Sequence, residues 1–348
     1  MEIEGTLLNN YYQPPQFNQP NFNYNEAAIQ TQYYMEKARQ ERKEIRHLGN
    51  MFGIVMSAFV VLQLICVLLL KASNLQSLYD QSALFQTCFN IVVVDLICIV
   101  IPFGLLAFLN RKKYETDIIP TKKVSGKDMY LWVTFGMLCC IGANYIVGLV
   151  VSFLKLLGHD PFQFDTPEPD SFITSIAIAI GTAVMPALCE EFGMRCCGLG
   201  VLRKHGKAFG VIAVSIVFGL MHGNMIQFVF ATLVGLILGY VTVKTDSIVP
   251  AVLIHLFNNG MSVVSSIAEH FANVKADDIT LWFFAVWIAL GGISAVVLGF
   301  KGRFKRSKKT IAEPFQNSTG KKIAAFFFVP GMIFPFLYFV ATILFTVG

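Results

Sequence analysis

The stretch that decides the fold is residues 173–202, ITSIAIAIGTAVMPALCEEFGMRCCGLGVL. It is long enough to cross a bilayer, because a membrane helix needs about 20 mostly apolar residues. It nevertheless carries Glu190, Glu191 and Arg195, and ionisable side chains at bilayer depth are costly and mark functional sites by default. The stretch therefore predicts a membrane helix that contributes to a polar site.

The whole chain has the composition of a membrane protein. Of its 348 residues, 55% are hydrophobic and 14% are charged, whereas soluble domains carry about 25% charged residues. The mean hydropathy is +0.60. The apolar residues fall in long blocks, which predicts an all-α, polytopic transmembrane helix bundle. This pattern excludes nucleic-acid-binding, fibrous and disordered classes.

The hydropathy pattern predicts about nine spans, with eight as the alternative because the connections within 203–247 are short. Cytoplasmic loops carry an excess of Lys and Arg. Alternation from a cytoplasmic N-terminus places 23 of the 27 basic residues on the inner side. The N-terminus is therefore predicted to be cytoplasmic. The nine candidate segments are 51–70, 84–109, 129–157, 172–202, 208–221, 225–243, 248–267, 280–300 and 323–347.

The charged group in the fourth segment divides into a pair and a single carboxylate. Glu191 and Arg195 are four residues apart and share a helix face, so they can neutralise each other. Glu190 points about 100° away at ~3.6 residues per turn and stays available for another task. A carboxylate among apolar neighbours suits a general base. The alternative is a buried ion-pair network that ties helices together.

Two further polar groups follow on later apolar segments, Phe218-Gly-Leu-Met-His222 and His255-Leu-Phe-Asn-Asn259. His255 and Asn259 share a helix face, where two hydrogen-bond donors can stabilise developing negative charge. Their alternative role is to join membrane helices. At ~1.5 Å per residue, these histidines and Glu190 lie roughly 16–20 Å from the nearest basic connection. A shared cavity that opens toward the cytoplasmic side is therefore expected.

In chain order, the three groups resemble the motifs of the CPBP intramembrane proteases, which include the Rce1-type CAAX prenyl endopeptidases and the bacterial Abi proteins. The resemblance covers about residues 173–262. One position departs from it, since Cys196 follows the motif arginine where family members often carry glycine. The matching groups are Glu190-Glu191-x-x-x-Arg195, Phe218-x-x-x-His222 and His255-x-x-x-Asn259.

The resemblance implies an intramembrane endopeptidase in which Glu190 activates the attacking water with help from His222. No cofactor is expected. A zinc-dependent protease is the alternative, with Glu190, His222 and His255 as ligands, because Zn²⁺ takes nitrogen, oxygen and sulfur ligands. The His-Glu-x-x-His signature of zinc proteases does not occur in the sequence.

The same resemblance implies roles for the remaining candidate catalytic residues. His255 and Asn259 would stabilise the tetrahedral oxyanion, and Arg195 with Glu191 would support the site. Asp95 is a further ionisable side chain in an apolar block, and the sequence assigns it no role.

Other functional classes are less well supported. A rhomboid-like serine protease would show a Gly-x-Ser-x-Gly motif, which is absent from the sequence. An aspartyl protease would need two membrane aspartates, whereas only Asp95 lies in a predicted span. A transporter would use intramembrane charges as an ion path and would show inverted repeats, but the polar motifs are not duplicated. A catalytically silent peptide-binding or bacteriocin-immunity protein with the same cluster stays open as an alternative.

The expected partners are membrane lipid and a peptide or lipidated-protein substrate, and not nucleic acid. The protein is expected to be a multi-pass integral membrane protein, in the plasma membrane of a bacterium or the endoplasmic reticulum of a eukaryote. Four regions are predicted. They are a disordered or partly helical cytoplasmic tail (1–48), three accessory membrane helices (49–157), a catalytic membrane core (158–268) and C-terminal membrane helices (269–348).

Overall fold

A computed structural model describes residues 24–111, 119–162, 168–272, 274–305 and 317–348. These residues are helical throughout apart from their connections, with no strand and one isolated bridge between Thr121 and Ser247. The predicted all-α fold is confirmed. The part of the predicted tail before Tyr24 lies outside the described residues. The helices are α1 (Tyr24–Ala72), α2 (Gln76–Gln81), α3 (Ala83–Asn110), α4 (Gly126–Leu156), α5 (Phe172–His205), α6 (Lys207–Met221), α7 (Met225–Thr245), α8 (Val249–Ala272), α9 (Ala276–Phe300), α10 (Thr319–Phe327) and α11 (Pro330–Phe345).

The described helices give seven or eight candidate membrane spans. Seven are long and apolar enough to cross a bilayer, and α10 with α11, which meet at a bend of 85°, can form an eighth. Helix α6 has 15 residues, or about 22 Å, which is shorter than the ~30 Å hydrocarbon core. The predicted count of nine includes the short helix 208–221, and it is higher by one than the upper value. The alternative count of eight agrees with the upper value, and the orientation of the termini stays a prediction.

Helices α6 and α7 form an antiparallel hairpin that turns at residues 222–224. Gly235 on α7 packs on Ser215 of α6, and Gly239 packs on Val211. A Cβ atom at either glycine would lie 3.0–3.1 Å from its neighbour, so the small residues permit close approach of the two helices. The Gly235-x-x-x-Gly239 pair therefore packs within the chain.

Two clusters of buried apolar side chains hold the bundle together. The larger one joins α1, α3, α5, α6, α10 and α11 and includes the buried rings of Phe52, Phe103, Phe209 and Phe326. The ring centroids of Phe52 and Phe326 lie 5.1 Å apart in an edge-to-face arrangement, which is favourable for aromatic pairs. The smaller cluster joins α4, α7, α8 and α9 around Trp132. The polar site lies between these two clusters.

One end of the bundle, which we call the basic end, gathers the N-terminal part of α1 and several basic connections. The Lys322 ammonium donates to the His205 carbonyl and to Glu41 Oε1, each at 2.6 Å. Arg203 pairs with Asp246 at 2.9 Å. These contacts fix α1, α5, α7 and α10 at a common level. The basic end comprises residues 36–50, 110–111, 119–128, 203–207, 244–249, 300–305 and 317–322.

The opposite end, which we call the acidic end, carries the remaining connections. Helices α1 and α11 run parallel, because Gly331 N–H donates to Asn50 Oδ1 at 2.8 Å and Phe59 packs on Phe339 farther along. The C-terminal ends of α1 and α11 therefore lie at the same end. Thr346 joins this level to the turn after α6, since Met225 N–H donates to its Oγ1 at 2.8 Å. The acidic end comprises residues 71–82, 155–162, 168–172, 222–225, 269–272, 274–278 and 345–348.

Replacing Gly291 by alanine should destabilise the bundle, whereas the same change at the neighbouring Gly292 should not. A Cβ atom at Gly291 would collide with the Thr134 carbonyl oxygen and the Leu138 side chain on α4, while a Cβ atom at Gly292 meets nothing within 4 Å. Overpacking of a buried contact costs about 1–3 kcal/mol. Thermal unfolding of the detergent-solubilised variants measures the difference, and equal midpoints would contradict this packing.

Candidate active site

A buried pair of charges and a histidine form the base of the site. The side chains of Glu191 and Arg195 are 0% and 1% exposed, and Arg195 Nη1 donates to Glu191 Oε1 at 2.8 Å. His255 Nδ1 lies 2.9 Å from the same oxygen. The Arg195 guanidinium also approaches the Gly235 carbonyl at 3.4 Å and stacks 5.0 Å above the Phe218 ring. The predicted Glu191–Arg195 pair is thus present, and it is tied to both α8 and the α6–α7 hairpin.

Glu190 points away from this pair toward a cavity. Its side chain is 17% exposed, and its Oε2 lies 3.7 Å from His255 Nε2. Both glutamates lie in the α-helical segment Met185–Glu191, and the π-helical segment that follows, Phe192–Gly198, carries Arg195. Such π-turns occur frequently at functional sites. The two consecutive glutamates therefore differ in environment, one enclosed with the arginine and one open to the cavity.

His222 lies at the C-terminus of α6, where the chain turns toward α7. Its Nδ1 is 2.8 Å from the Phe218 carbonyl oxygen. Because a carbonyl can only accept, Nδ1 carries the hydrogen and Nε2 is the acceptor of the neutral ring. Gly223 turns the chain with a φ of +67°, and Asn224 caps α7 by accepting from Gln227 N–H at 2.8 Å. The turn thus holds the His222 ring in a defined orientation.

His255 and Asn259 lie on one face of α8, as their spacing predicts. His255 Nδ1 donates to the Glu191 carboxylate, so Nε2 is the ring nitrogen nearer Glu190. Asn259 Nδ2 donates to the Thr182 carbonyl at 3.2 Å, and its Oδ1 accepts from Asn258 Nδ2 at 3.2 Å. One hydrogen of the Asn259 amide is therefore still available to a substrate.

Four of the six candidate residues line one cavity of about 450 Å³, which we call the central cavity. An adjoining cavity of about 280 Å³ shares part of this lining. Glu191 and Arg195 lie behind the cavity wall and do not line it. The structure thus brings all six predicted residues together, in two layers. The candidates lining the central cavity are Glu190, His222, His255 and Asn259, and both cavities share Glu190, Phe218, His222 and Gln227.

The depth argument predicts a cavity that opens toward the basic connections. The lining of the central cavity extends in the opposite direction. Its outer lining comes from Tyr79, Gln86 and Asn90, which lie at or near the acidic end. Counting residues from the nearest loop places the three polar groups at a similar depth. It cannot show which half of the bundle is filled by side chains, and the expectation of a cavity that opens at the basic end was wrong for this reason.

The described part of the chain contains no group of three or more His, Cys, Asp or Glu side chains arranged to hold a metal ion. Glu190, His222 and His255, the ligands of the zinc alternative, line the same cavity without forming such a group. The arrangement therefore does not fit a zinc site.

Asp95 is an acidic residue near the site to which the sequence assigned no role. It is 5% exposed, on the π-helical part of α3, Ile91–Val100. It lies close enough to Glu190 and His255 to interact electrostatically with both. A lone acidic residue in an apolar block was the available signal. Gln227 and Asn258, which also line the central cavity, carry no comparable signal because neutral amides are common in membrane helices.

Comparison with known families supports the resemblance that the motifs suggest. Residues 172–261 match the family model described as Rce1-like, type II CAAX prenyl endopeptidase Rce1-like. No curated protein matches, and no solved structure matches. The matched segment runs from the start of α5 into α8 and contains all six candidate residues. Residues 172–261 of this multi-pass integral membrane protein are therefore similar to the Rce1-like, type II CAAX prenyl endopeptidase family.

Proposed function

We propose that this protein is an intramembrane endopeptidase that hydrolyses a peptide bond of a membrane-associated peptide, with Glu190 as the general base. The observation that carries the proposal is the contrast between the two glutamates. Glu191 is enclosed with Arg195, while Glu190 lines the central cavity together with His222. A carboxylate that faces a cavity in a membrane bundle and is free of the buried arginine fits a base that accepts and returns a proton.

The first chemical step is the attack of water on the peptide carbonyl. Glu190 takes a proton from a water molecule in the cavity, and the water oxygen bonds to the carbonyl carbon as the C=O electron pair moves to the oxygen. His222, whose Nε2 is an acceptor, orients this water by accepting its second hydrogen. The tetrahedral intermediate then breaks its C–N bond, and Glu190 returns the proton to the leaving amine.

In this mechanism, His255 and Asn259 stabilise the oxyanion of the intermediate. The His255 ring lies between the carboxylates of Glu191 and Glu190, at 2.9 and 3.7 Å. When Nε2 carries a hydrogen, it can donate to the oxyanion while Nδ1–H stays on Glu191. The free hydrogen of Asn259 Nδ2 supplies a second donor. Preorganised donors of this kind are worth several kcal/mol in a water-poor site.

Glu191 and Arg195 act through His255. The carboxylate fixes the ring by accepting from Nδ1, and the guanidinium neutralises the buried carboxylate. Both side chains are shielded from the cavity, so they position the reacting groups and do not touch the substrate.

The substrate is proposed as a peptide or lipidated protein, and a prenyl group is one candidate lipid because the matched family model is named for CAAX prenyl endopeptidases. The test is the cleavage of a panel of quenched peptides, with and without a lipid, by the purified protein. Equal inactivity of the wild type and its Glu190→Gln variant on every peptide would instead favour the silent peptide-binding or immunity function.

Replacing His222 by alanine should lower kcat/KM about 10²-fold, because proton-transfer and water-orienting groups contribute about 10²–10⁴-fold. The exposed His270 on α8 is the matched control, and His270→Ala should retain wild-type activity. A strong chelator should leave the wild-type rate unchanged. Loss of activity in chelator that zinc restores would overturn the glutamate mechanism in favour of the zinc alternative.

A further inference from the structure

We propose that Gln227 is a further substrate-binding residue, which donates a hydrogen bond from its amide nitrogen to a backbone carbonyl of the peptide next to the scissile bond. Asn224 acts as a positioning residue, because it fixes the direction in which the Gln227 amide points. The identity of the ligand as a peptide rests on the proposed function, whereas the orientation of the amide rests on hydrogen bonds alone.

A chain of two hydrogen bonds orients the side-chain amide of Gln227. The backbone N–H of Gln227 donates to the Asn224 side chain at 2.8 Å. Because a backbone N–H can only donate, the accepting atom is Oδ1, and the other end of the Asn224 amide is Nδ2. This nitrogen lies 2.7 Å from the Gln227 amide and donates to its acceptor, Oε1. The network therefore assigns Nε2 as the free end of the Gln227 side chain.

Asn224 is itself fixed, so it can impose this orientation. It is 2% exposed and caps the N-terminus of α7, where an asparagine oxygen satisfies a backbone donor. Its Nδ2 also approaches the His222 carbonyl at 3.4 Å. The same turn is held from α11, because Met225 N–H donates to Thr346 Oγ1 at 2.8 Å. A flipped Gln227 amide would set two N–H groups against each other and would lose the bond to Asn224.

The Nε2 end of Gln227 faces the open space of the site. Gln227 lines both the central cavity and the adjoining cavity. Among the described residues, none accepts a hydrogen bond from Nε2, and this nitrogen is not enclosed in the interior. Both of its hydrogens are therefore available at the cavity surface. A donor that loses its water when a peptide enters must be paired again, because an unpaired donor in a water-poor site is costly.

The residues beside Gln227 accept hydrogen bonds and do not compete with it as donors. The two cavities share Glu190, Phe218, His222 and Gln227. Glu190 is the proposed base, and the His222 ring offers Nε2 as an acceptor while its Nδ1 is occupied by the Phe218 carbonyl. Gln227 is thus the one of these four side chains with a free donor. A peptide that extends from one cavity into the other passes this wall, where its carbonyl groups need donors.

The carbonyl bound by Gln227 is distinct from the scissile carbonyl. His255 and Asn259, the proposed donors to the oxyanion, line the central cavity and not the adjoining one, whereas Gln227 lines both. The scissile carbonyl then lies toward His255 and Asn259, and Gln227 binds the carbonyl of a neighbouring peptide group. This bond sets the register of the chain relative to Glu190. It is present before and during the reaction, so its loss should appear mainly in KM.

Gln227→Met tests the donor, because methionine has a similar length and no N–H group. We expect kcat/KM for the best peptide of the panel to fall about tenfold or more, chiefly through KM, as for the loss of a hydrogen bond to a desolvated acceptor. Gln227→Glu, which places an acceptor where the donor was, should lower kcat/KM further. The matched control is Gln40→Met, since Gln40 is exposed on α1, and its KM should equal that of the wild type.

Peptide analogues identify the acceptor and distinguish it from water. In each analogue, one peptide group beside the scissile bond is replaced by a trans alkene, which has no carbonyl oxygen. Binding is measured in a Glu190→Gln background, where the proposed base is absent. One analogue should bind about tenfold more weakly than the parent peptide, and the protein that also carries Gln227→Met should not distinguish the two. If Gln227→Met weakens the parent and every analogue equally, Gln227 holds water or the fold, and the proposal is overturned.

Asn224→Ser separates the helix cap from the orientation of Gln227. Serine caps a helix as asparagine does, but it lacks the amide group that donates to Gln227 Oε1. The variant should weaken binding of the parent peptide, and it should add nothing in a Gln227→Met background. Additive effects of the two changes would show that Asn224 serves the fold alone and would remove its positioning role.

The binding measurements separate this inference from the proposed function. If Gln227→Met weakens binding of the parent peptide and the wild type cuts no peptide, the assignment of Gln227 stands and the protease function fails. If the wild type cuts a peptide and Gln227→Met has the same KM, the protease function stands and the assignment fails. Absence of both binding and cleavage across the panel would overturn both.

Discussion

Replacing Glu190 by glutamine is expected to lower kcat/KM for peptide cleavage by about 10³-fold or more, near the upper part of the ~10²–10⁴ range for general acid–base groups. Glutamine keeps the shape of the side chain and its place on the cavity wall, but it cannot take a proton from water or return one to the leaving amine. Cleavage of the best peptide of the panel, measured with equal amounts of purified wild type and variant, gives the ratio.

The matched control is Glu269→Gln. Glu269 is an exposed glutamate near the C-terminal end of α8, well after His255 and Asn259 in the sequence. The control variant should cleave at the wild-type rate. The thermal unfolding midpoint of Glu190→Gln should stay near that of the wild type. The contact of Glu190 with His255, at 3.7 Å, is longer than the contact of Glu191 with Arg195, at 2.8 Å. Activity within tenfold of the wild type would show that another group is the base, and Asp95 would be the first to examine.

The sequence predicts most of the fold because a bilayer imposes strong rules on it. Apolar blocks of sufficient length become helices, and the described part of the chain contains seven or eight candidate spans. The predicted nine spans and the seven or eight counted by length differ at α6, whose 15 residues are fewer than a full span needs. A short helix of a tight hairpin has the same apolar composition as a span, so hydropathy alone does not distinguish the two.

The candidate site is predicted well where it depends on helix geometry. The spacing of Glu191 and Arg195 gives their ion pair, and that of His255 and Asn259 gives their common face. The place of Asp95 depends on how α3 packs against α5, which no local pattern encodes. The direction in which the cavity opens likewise depends on which side chains fill the bundle, such as Phe326, which is remote in sequence from every motif.

Replacing Arg195 by methionine is expected to destabilise the protein by about 3–5 kcal/mol, the usual cost of breaking a buried ion pair. The guanidinium is 1% exposed and is the cation that contacts Glu191 at 2.8 Å. Its loss leaves the Glu191 carboxylate in the interior with His255 as its remaining described partner. Methionine has a similar length and fills much of the vacated volume, so the cost is chiefly electrostatic. Thermal unfolding of the solubilised variant measures it.

A double variant separates the stability of this pair from its role in positioning His255. Arg195→Met with Glu191→Leu removes both charges, and replacing a whole buried pair by apolar groups is often neutral for stability. The double variant should therefore unfold near the wild-type temperature. It should still lose most of its activity, because His255 Nδ1 no longer has the acceptor that fixes its ring. Full activity in a stable double variant would show that the pair serves the fold alone and that other contacts orient His255.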